Sequence, residues 1–192
     1  MAYFDIFVDE KNKNSLFVLT GSHQLSLHEA ISQSLAGRTA LLTLLPLSIA
    51  ELKNNGIELP VDKLMLQGGY PRIYQQNLDP TRAYADYYRT YIQRDVRQMI
   101  NIKDLSLFEK FIKLCAGRIG SLFETSSLAN EVGVSSHTIS NWLSILEASF
   151  IIFRLQPYFE NFGKRVIKSS KIYFTDVGLA SYLLDIENIT QI

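Results

Sequence analysis

The chain has 192 residues, 47% of them apolar and 20% charged, which fits one globular domain or two small ones and excludes a disordered chain. Lysine plus arginine balances aspartate plus glutamate at 19 each, so no overall field draws the chain to nucleic acid or anionic lipid, and any basic surface has to be local. The single Cys115 excludes an intrachain disulfide and points to a reducing cytoplasm; no apolar run approaches the roughly 18 residues of a membrane span, so no membrane partner is expected.

The amino-terminal segment MAYFDIFVDEK lacks the basic end of a signal peptide. Within it, Asp5-Ile6-Phe7-Val8-Asp9-Glu10 has the shape of a Walker B strand, whose acidic pair would hold magnesium and polarise a water. Only Lys11 to Ser15 separate it from the next apolar run, whereas neighbouring parallel strands need a crossover of about a dozen residues, so a helix end or edge segment is the better reading. No Gly-x-x-x-x-Gly-Lys-Ser/Thr phosphate loop occurs anywhere, so this chain alone is expected to bind no nucleotide and to need no cofactor.

Leu16 to Leu19 reads as a buried strand closed by Thr20, Gly21 and Ser22. A helix over His23 to Leu35 follows, and Arg38 precedes a second apolar run, TALLTLLPL, stopped by Pro46. Strand, helix and strand at this spacing predict a parallel βαβ crossover, and with only two clear strands the sheet is partial. His23 and His28 lie off a shared helical face, so no metal site is expected, and no Ser, His and acid arrangement stands out.

From Ile49 to Asp79 the pattern is mixed, and Gln67-Gly68-Gly69-Tyr70-Pro71-Arg72 must be a turn or helix junction. Pro80 to Met99 predicts a helix with an apolar stripe of Tyr84, Tyr88, Tyr91, Ile92 and Met99 and a polar one of Arg82, Asp86, Arg89, Gln93 and Arg97. The tyrosines are expected in the core. Asp95, within the apolar stripe, reads as an acid paired with Arg94 or Lys103, with a subunit-contact or catalytic carboxylate as the sharper alternative. Cys115 falls among Leu107, Phe108, Phe111, Ile112 and Leu114, the pattern of a buried structural thiol.

The stretch Glu124 to Phe153 organises the carboxy-terminal half. Leu128, Ala129, Val132, Val134, Ile139, Leu143 and Leu146 recur at helical spacings on either side of Gly133, predicting two short helices with a tight turn. Ser126 or Ser127 can cap the first, Gly133 can end it in the left-handed conformation, and Ser135 or Ser136 can cap the second. FIIFRLQPYF, the polar turn ENFGKR and KIYFTD then predict a β-hairpin wing.

Leu19-Thr20-Gly21-Ser22, Ser34-Leu35-Ala36-Gly37-Arg38, Leu45-Pro46-Leu47-Ser48 with Glu51, and Gly68-Gly69-Tyr70-Pro71 stand in an order that resembles the second half of an AAA+-type P-loop ATPase core. The core would be joined to the uncharacterised winged-helix-containing domain that follows it in bacterial and archaeal ATPases. The resemblance covers nearly the whole chain, although Arg72 stands where the pattern has an acid. It implies a phosphate loop and Walker B strand upstream of residue 1, ATP and magnesium in a complete protein, and a nuclease-like domain beyond residue 192. By the same resemblance, Thr20 and Ser22 match the strand end that senses the γ-phosphate, and Arg38 matches an arginine reaching a neighbouring subunit's nucleotide. The residue-level alternatives are a helix N-cap for Ser22 and a solvated helix C-terminal arginine for Arg38. The expected fold class is mixed α/β, mainly helical. It comprises a partial ATPase βαβ core over 1–52, a helical lid-like connector over 53–104 and a winged helix-turn-helix over 105–192.

A DNA-reading helix-turn-helix places polar or basic side chains at the start of its second helix. Here Ser136, His137, Ser140, Asn141 and Ser144 are the candidates, without any lysine or arginine. Phosphate contacts would come from the wing, where Arg154, Lys164, Arg165, Lys168 and Lys171 outnumber Glu160. Trp142 either covers the core edge or stacks on a base. Two readings remain open for a chain not catalytically competent alone: a nucleic-acid-binding module coupled to an ATPase, or a winged helix that docks on the missing ATPase half or self-associates without touching DNA.

Overall fold

The computed structural model describes residue 40 and residues 42–96, 105–158 and 169–192. Outside the described residues lie the Walker B-like segment, the first expected strand and its helix, His23, His28, Thr20, Ser22, Arg38, Lys103, and Lys164, Arg165 and Lys168 of the wing turn; so do the side chains of Arg94 and Asp95. The chain divides into two units, Met1–Leu44 and Leu45–Ile192, and the described helices and strands all belong to the second.

The second expected strand is not one over residues 42–47. Pro46 has no amide to give a ladder, and the Leu47 N–H is spent on the Gly69 carbonyl at 2.7 Å. Helix α1 (Ile49–Asn54) begins at a capping box: Ser48 Oγ accepts from the Glu51 amide at 3.2 Å, and the Ser48 amide donates to Glu51 Oε2 at 2.8 Å. These bonds from Ser48 hold the Glu51 carboxyl below its ordinary value. Helix α2 (Val61–Gln67) stops at Gly68, and α3 (Pro71–Gln75) starts at Pro71, so Gly-Gly-Tyr-Pro is the helix junction its composition predicts. Helix α4 (Pro80–Tyr87) has Asp79 as N-cap, accepting from the Arg82 amide at 2.8 Å, and continues as a π-helical stretch over Tyr88–Val96. Tyr84, Tyr88 and Ile92 are buried, as the stripe predicts.

Helix α5 (Leu105–Ala116) turns Phe108, Phe111, Ile112 and Cys115 inward. Helices α6 (Thr125–Val132) and α7 (Ser136–Ala148) flank Gly133, whose φ of +90° is the expected left-handed stop. Ser135 caps α7, accepting from the Thr138 amide at 3.1 Å. The cap expected for α6 is different: Glu124 occupies the N-cap position without a side-chain bond, Ser126 and Ser127 lie inside the helix, and Ser127 Oγ instead donates to Glu131 at 3.2 Å.

Strands β1 (Ile152–Leu155) and β2 (Lys171–Phe174) pair antiparallel, Ile152 opposite Phe174 and Leu155 opposite Lys171. Ile119 and Leu122, between α5 and α6, add single bridges to β2. The Trp142 ring packs into the core between Phe108 and Phe111, with centroids at 5.4 and 5.2 Å, joined there by Ile139, Leu146, Ile152 and Ile172. Trp142 is therefore a core residue, not a stacking platform. Helix α8 (Val177–Leu183) follows β2 after Asp176 and lies against α2, where Ser181 Oγ donates to the Met65 carbonyl at 2.8 Å. No helix among the described residues is long and apolar enough to cross a membrane.

Candidate functional site

Among the described residues, two places carry polar chemistry. The first is the outer surface of α6 and α7. Ser136, His137, Ser140, Asn141 and Ser144 all stand exposed on α7, so the structure brings the predicted reading face together. Much of its hydrogen-bonding capacity is used within the helix: Ser140 Oγ donates to the Ser136 carbonyl and Ser144 Oγ to the Ser140 carbonyl, both at 3.0 Å, while Asn141 Nδ2 lies 3.3 Å from His137 Nε2. Neither α6 nor α7 contains a lysine or arginine.

Two arginines nearby are matched to acids. Arg154 on β1 grips Glu147 with two nitrogens, Nε at 2.8 Å and Nη2 at 2.6 Å, and that bonding raises its pKa further. Arg118 pairs with Glu131 and depresses its carboxyl, and Lys110 donates to the Glu131 carbonyl. Lys171 is exposed on β2, on the ribbon face that it shares with Leu155. Phe153 and Tyr173 stack at 5.4 Å on the same ribbon. Of the nine predicted nucleic-acid contacts, the described six thus comprise two serines, a histidine and an asparagine, one arginine held by a glutamate, and Lys171.

The second place is a buried joint that the sequence did not single out. Gly68 has φ +63° and Gly69 follows it into a closely packed turn. The Gly69 N–H donates to Asp176 Oδ2 at 2.7 Å, and the other carboxylate oxygen, Oδ1, accepts from the Leu179 amide at 2.9 Å as the N-cap of α8. Tyr74 donates its hydroxyl to the Gly68 carbonyl at 2.6 Å, and Tyr84 donates to the Gln67 carbonyl at 2.9 Å while also lying against the Asp176 carboxylate. Tyr70 adds an aromatic wall, its ring 5.3 Å from Tyr84 and 4.8 Å from Tyr87.

Asp176 is 3% exposed. Burial pushes its carboxyl above the ordinary aspartate range, while the bonds from Tyr84 and from the Gly69, Leu179 and Gly178 amides pull the other way. Burial, with the Asp176 charge close by, also raises the phenols of Tyr70, Tyr74 and Tyr84, which are therefore neutral donors at neutral pH. A signal for this joint was present: an Asp before VGLASYL is a helix start, and a Gly-Gly pair before Pro marks a backbone that something approaches closely. Nothing in the pattern tied the two together across the chain.

Residues 59–190, more than half of the chain, match a family described as Domain of unknown function (DUF8612). The chain belongs to that family. Residues 2–53 match a family described as AAA domain. An uncharacterized protein of Mycobacterium tuberculosis is 30% identical over 185 residues, covering 95% of this chain and 41% of its own length. An uncharacterized protein of Haemophilus influenzae is 28% identical over 204 residues, covering 93% of this chain and 50% of its own length. One from Methanocaldococcus jannaschii is 26% identical over 205 residues, covering 88% and 43%. The chain thus spans half or less of the length of these relatives. No solved structure matches.

Both partners of the joint, Gly69 and Asp176, fall in the DUF8612 region, whereas Leu47, bound to the Gly69 carbonyl, falls in the AAA-matched segment. No group of His, Cys, Asp or Glu among the described residues could hold a metal ion. Cys115 is fully buried, and that burial pushes its thiol well above the ordinary value, as expected of a structural cysteine. A thiol reagent should therefore leave native protein unlabelled at neutral pH and label it only after denaturation. Rapid stoichiometric labelling of folded protein would contradict this burial.

Proposed function

We propose that the chain forms part of an AAA-type ATPase and that its DUF8612 region contains a winged helix which docks on the ATPase core rather than reading DNA. The order α5, bridging segment, α6, α7, β1, β2 supports this reading, in which the β1 and β2 ribbon would be the wing. The observation that carries the docking reading is the charge arrangement around α6 and α7. The two helices hold no cation, and Arg118 and Arg154 are engaged by Glu131 and Glu147. A surface that neutralises phosphates needs several unshared basic groups, since counterion release supplies most of the affinity. The occupant proposed is the ATPase core of the same protein, because its matched segment is already bonded to the DUF8612 region through Leu47 and Gly69. ATP and magnesium would then be bound by the complete protein, with Thr20, Ser22 and Arg38 in the nucleotide-sensing positions that the ATPase resemblance implies.

A DNA-binding role is the second reading, favoured by the exposure of Ser136, His137 and Asn141 in the first turns of α7. Fluorescence anisotropy with labelled duplex and single-stranded DNA at low salt separates the two. No saturable binding is expected. Binding that weakens with salt and falls further in Lys164→Glu or Arg165→Glu chains would overturn the docking proposal.

A further inference from the structure

We infer that Leu47, Gly69 and Asp176 form a mechanical link that ties the AAA-matched segment to helix α8, so that displacement at one end is passed to the other. The inference rests on reading residues 2–53 as ATPase only for what would drive the motion; the link itself is a property of residues 45–183.

The two ends meet on one residue. Gly69 accepts from the Leu47 amide through its carbonyl and donates to Asp176 Oδ2 through its N–H, both at 2.7 Å. Asp176 then holds the Leu179 amide with its second oxygen, which fixes the first turn of α8. The path is three hydrogen bonds long, and the bond into Asp176 is buried.

Slack is absent along it. A Cβ on Gly69 would sit 2.5 Å from the Leu47 carbonyl oxygen and 3.0 Å from Pro46 Cβ, so segment and turn are in backbone contact. On the opposite side, a Cβ on Gly178 would sit 2.5 Å from the Tyr84 hydroxyl. A close-packed interior responds to displacement by shifting as a unit, because there is no free volume to absorb it. Asp176 also comes shortly after β2, so the far end of the link lies beside the ribbon and not only beside α8. A hydrogen-bonded path of this kind becomes a coupling device only if both ends respond to each other, and that is measurable without a nucleotide.

The experiment is amide hydrogen exchange on the full chain, wild type and three variants, compared at matched global stability by adjusting denaturant. Asp176→Asn replaces one acceptor oxygen by a donor. Leu146→Ala removes a buried leucine on α7 that is outside the link and serves as the control. Loss of one hydrogen bond's contribution should speed exchange of the Leu47 amide by about tenfold in Asp176→Asn, with no such change in Leu146→Ala. Leu47→Pro deletes the donor at the other end and should speed exchange of the Leu179 amide by a similar factor, which decides the matter if Asp176→Asn does not fold. Unchanged Leu47 exchange in folded Asp176→Asn, or an equal acceleration in Leu146→Ala, would overturn the link, as would unchanged Leu179 exchange in Leu47→Pro. Because no ATP is present, failure here leaves the ATPase reading untouched, and failure of that reading in a turnover assay leaves these outcomes standing.

Discussion

Alanine at position 176 should cost the folded chain about 3 kcal/mol, the sum of two orphaned buried amides at about 1–3 kcal/mol each, less the relief of no longer burying a carboxyl. The donors left without a partner would be the Gly69 and Leu179 N–H groups, of which the second is also the N-cap bond of α8. For a chain of this size the melting temperature should fall by about 10 °C. Thermal unfolding followed by circular dichroism checks it, and a drop below about 1 kcal/mol would mean that water or another acceptor takes over both amides.

The same carboxyl gives a pH signature. Its folded pKa is raised, chiefly by burial, so the folded chain holds the proton more tightly than the unfolded chain does. That contribution is fully present below the unfolded value of about 3.9 and is lost as pH rises through the higher folded value. Asparagine has no such titration. The stability gap between wild type and Asp176→Asn should therefore narrow from acid toward neutral pH, and a gap that widens over that range would show that the hydrogen bonds to the carboxylate outweigh the burial.

Local features of the fold were legible because they are written in neighbouring residues. Gly133 between two apolar periodicities specified the turn between α6 and α7, the Ser135-Ser136 pair narrowed the α7 cap to two residues of which Ser135 takes it, and Pro80 marked the start of α4. Tyr84, Tyr88, Ile92 and Cys115 went inward because apolar spacing decides which face of a helix is covered. Legibility failed where one residue serves two elements. Leu47 sits in an apolar run that reads as strand, yet its amide is bonded to a turn far along the chain, and periodicity contains no information about that partner. The Ser48 and Glu51 capping box was readable from spacing and marks a helix start where the run ends. The distribution of cations around α7 was half legible: the absence of lysine and arginine from α7 is visible in the sequence, but the capture of Arg154 by Glu147 depends on β1 folding back beside the end of that helix.

Gly68→Ala should be the most disruptive single methyl among the described glycines. At φ +63° and ψ −154° the backbone lies in a region that only glycine occupies readily, which alone costs on the order of 1–3 kcal/mol. The added Cβ would also fall 2.0 Å from the Tyr84 hydroxyl and 2.4 Å from Asp176 Oδ1. Neither neighbour can yield freely: Tyr84 is fully buried and bonded to the Gln67 carbonyl, and Asp176 is held by Gly69 and Leu179. Overpacking adds roughly 1–3 kcal/mol, for a combined loss of about 4 kcal/mol. Gly133→Ala is the matched control, with a φ of +90° but nothing within 4 Å of its Cβ, so it should lose only the backbone cost of about 1–2 kcal/mol. Chemical denaturation of both variants separates the contributions. If Gly68→Ala and Gly133→Ala lose equal stability, the close approach of Tyr84 and Asp176 to the turn carries no energetic weight and the joint is looser than its distances imply.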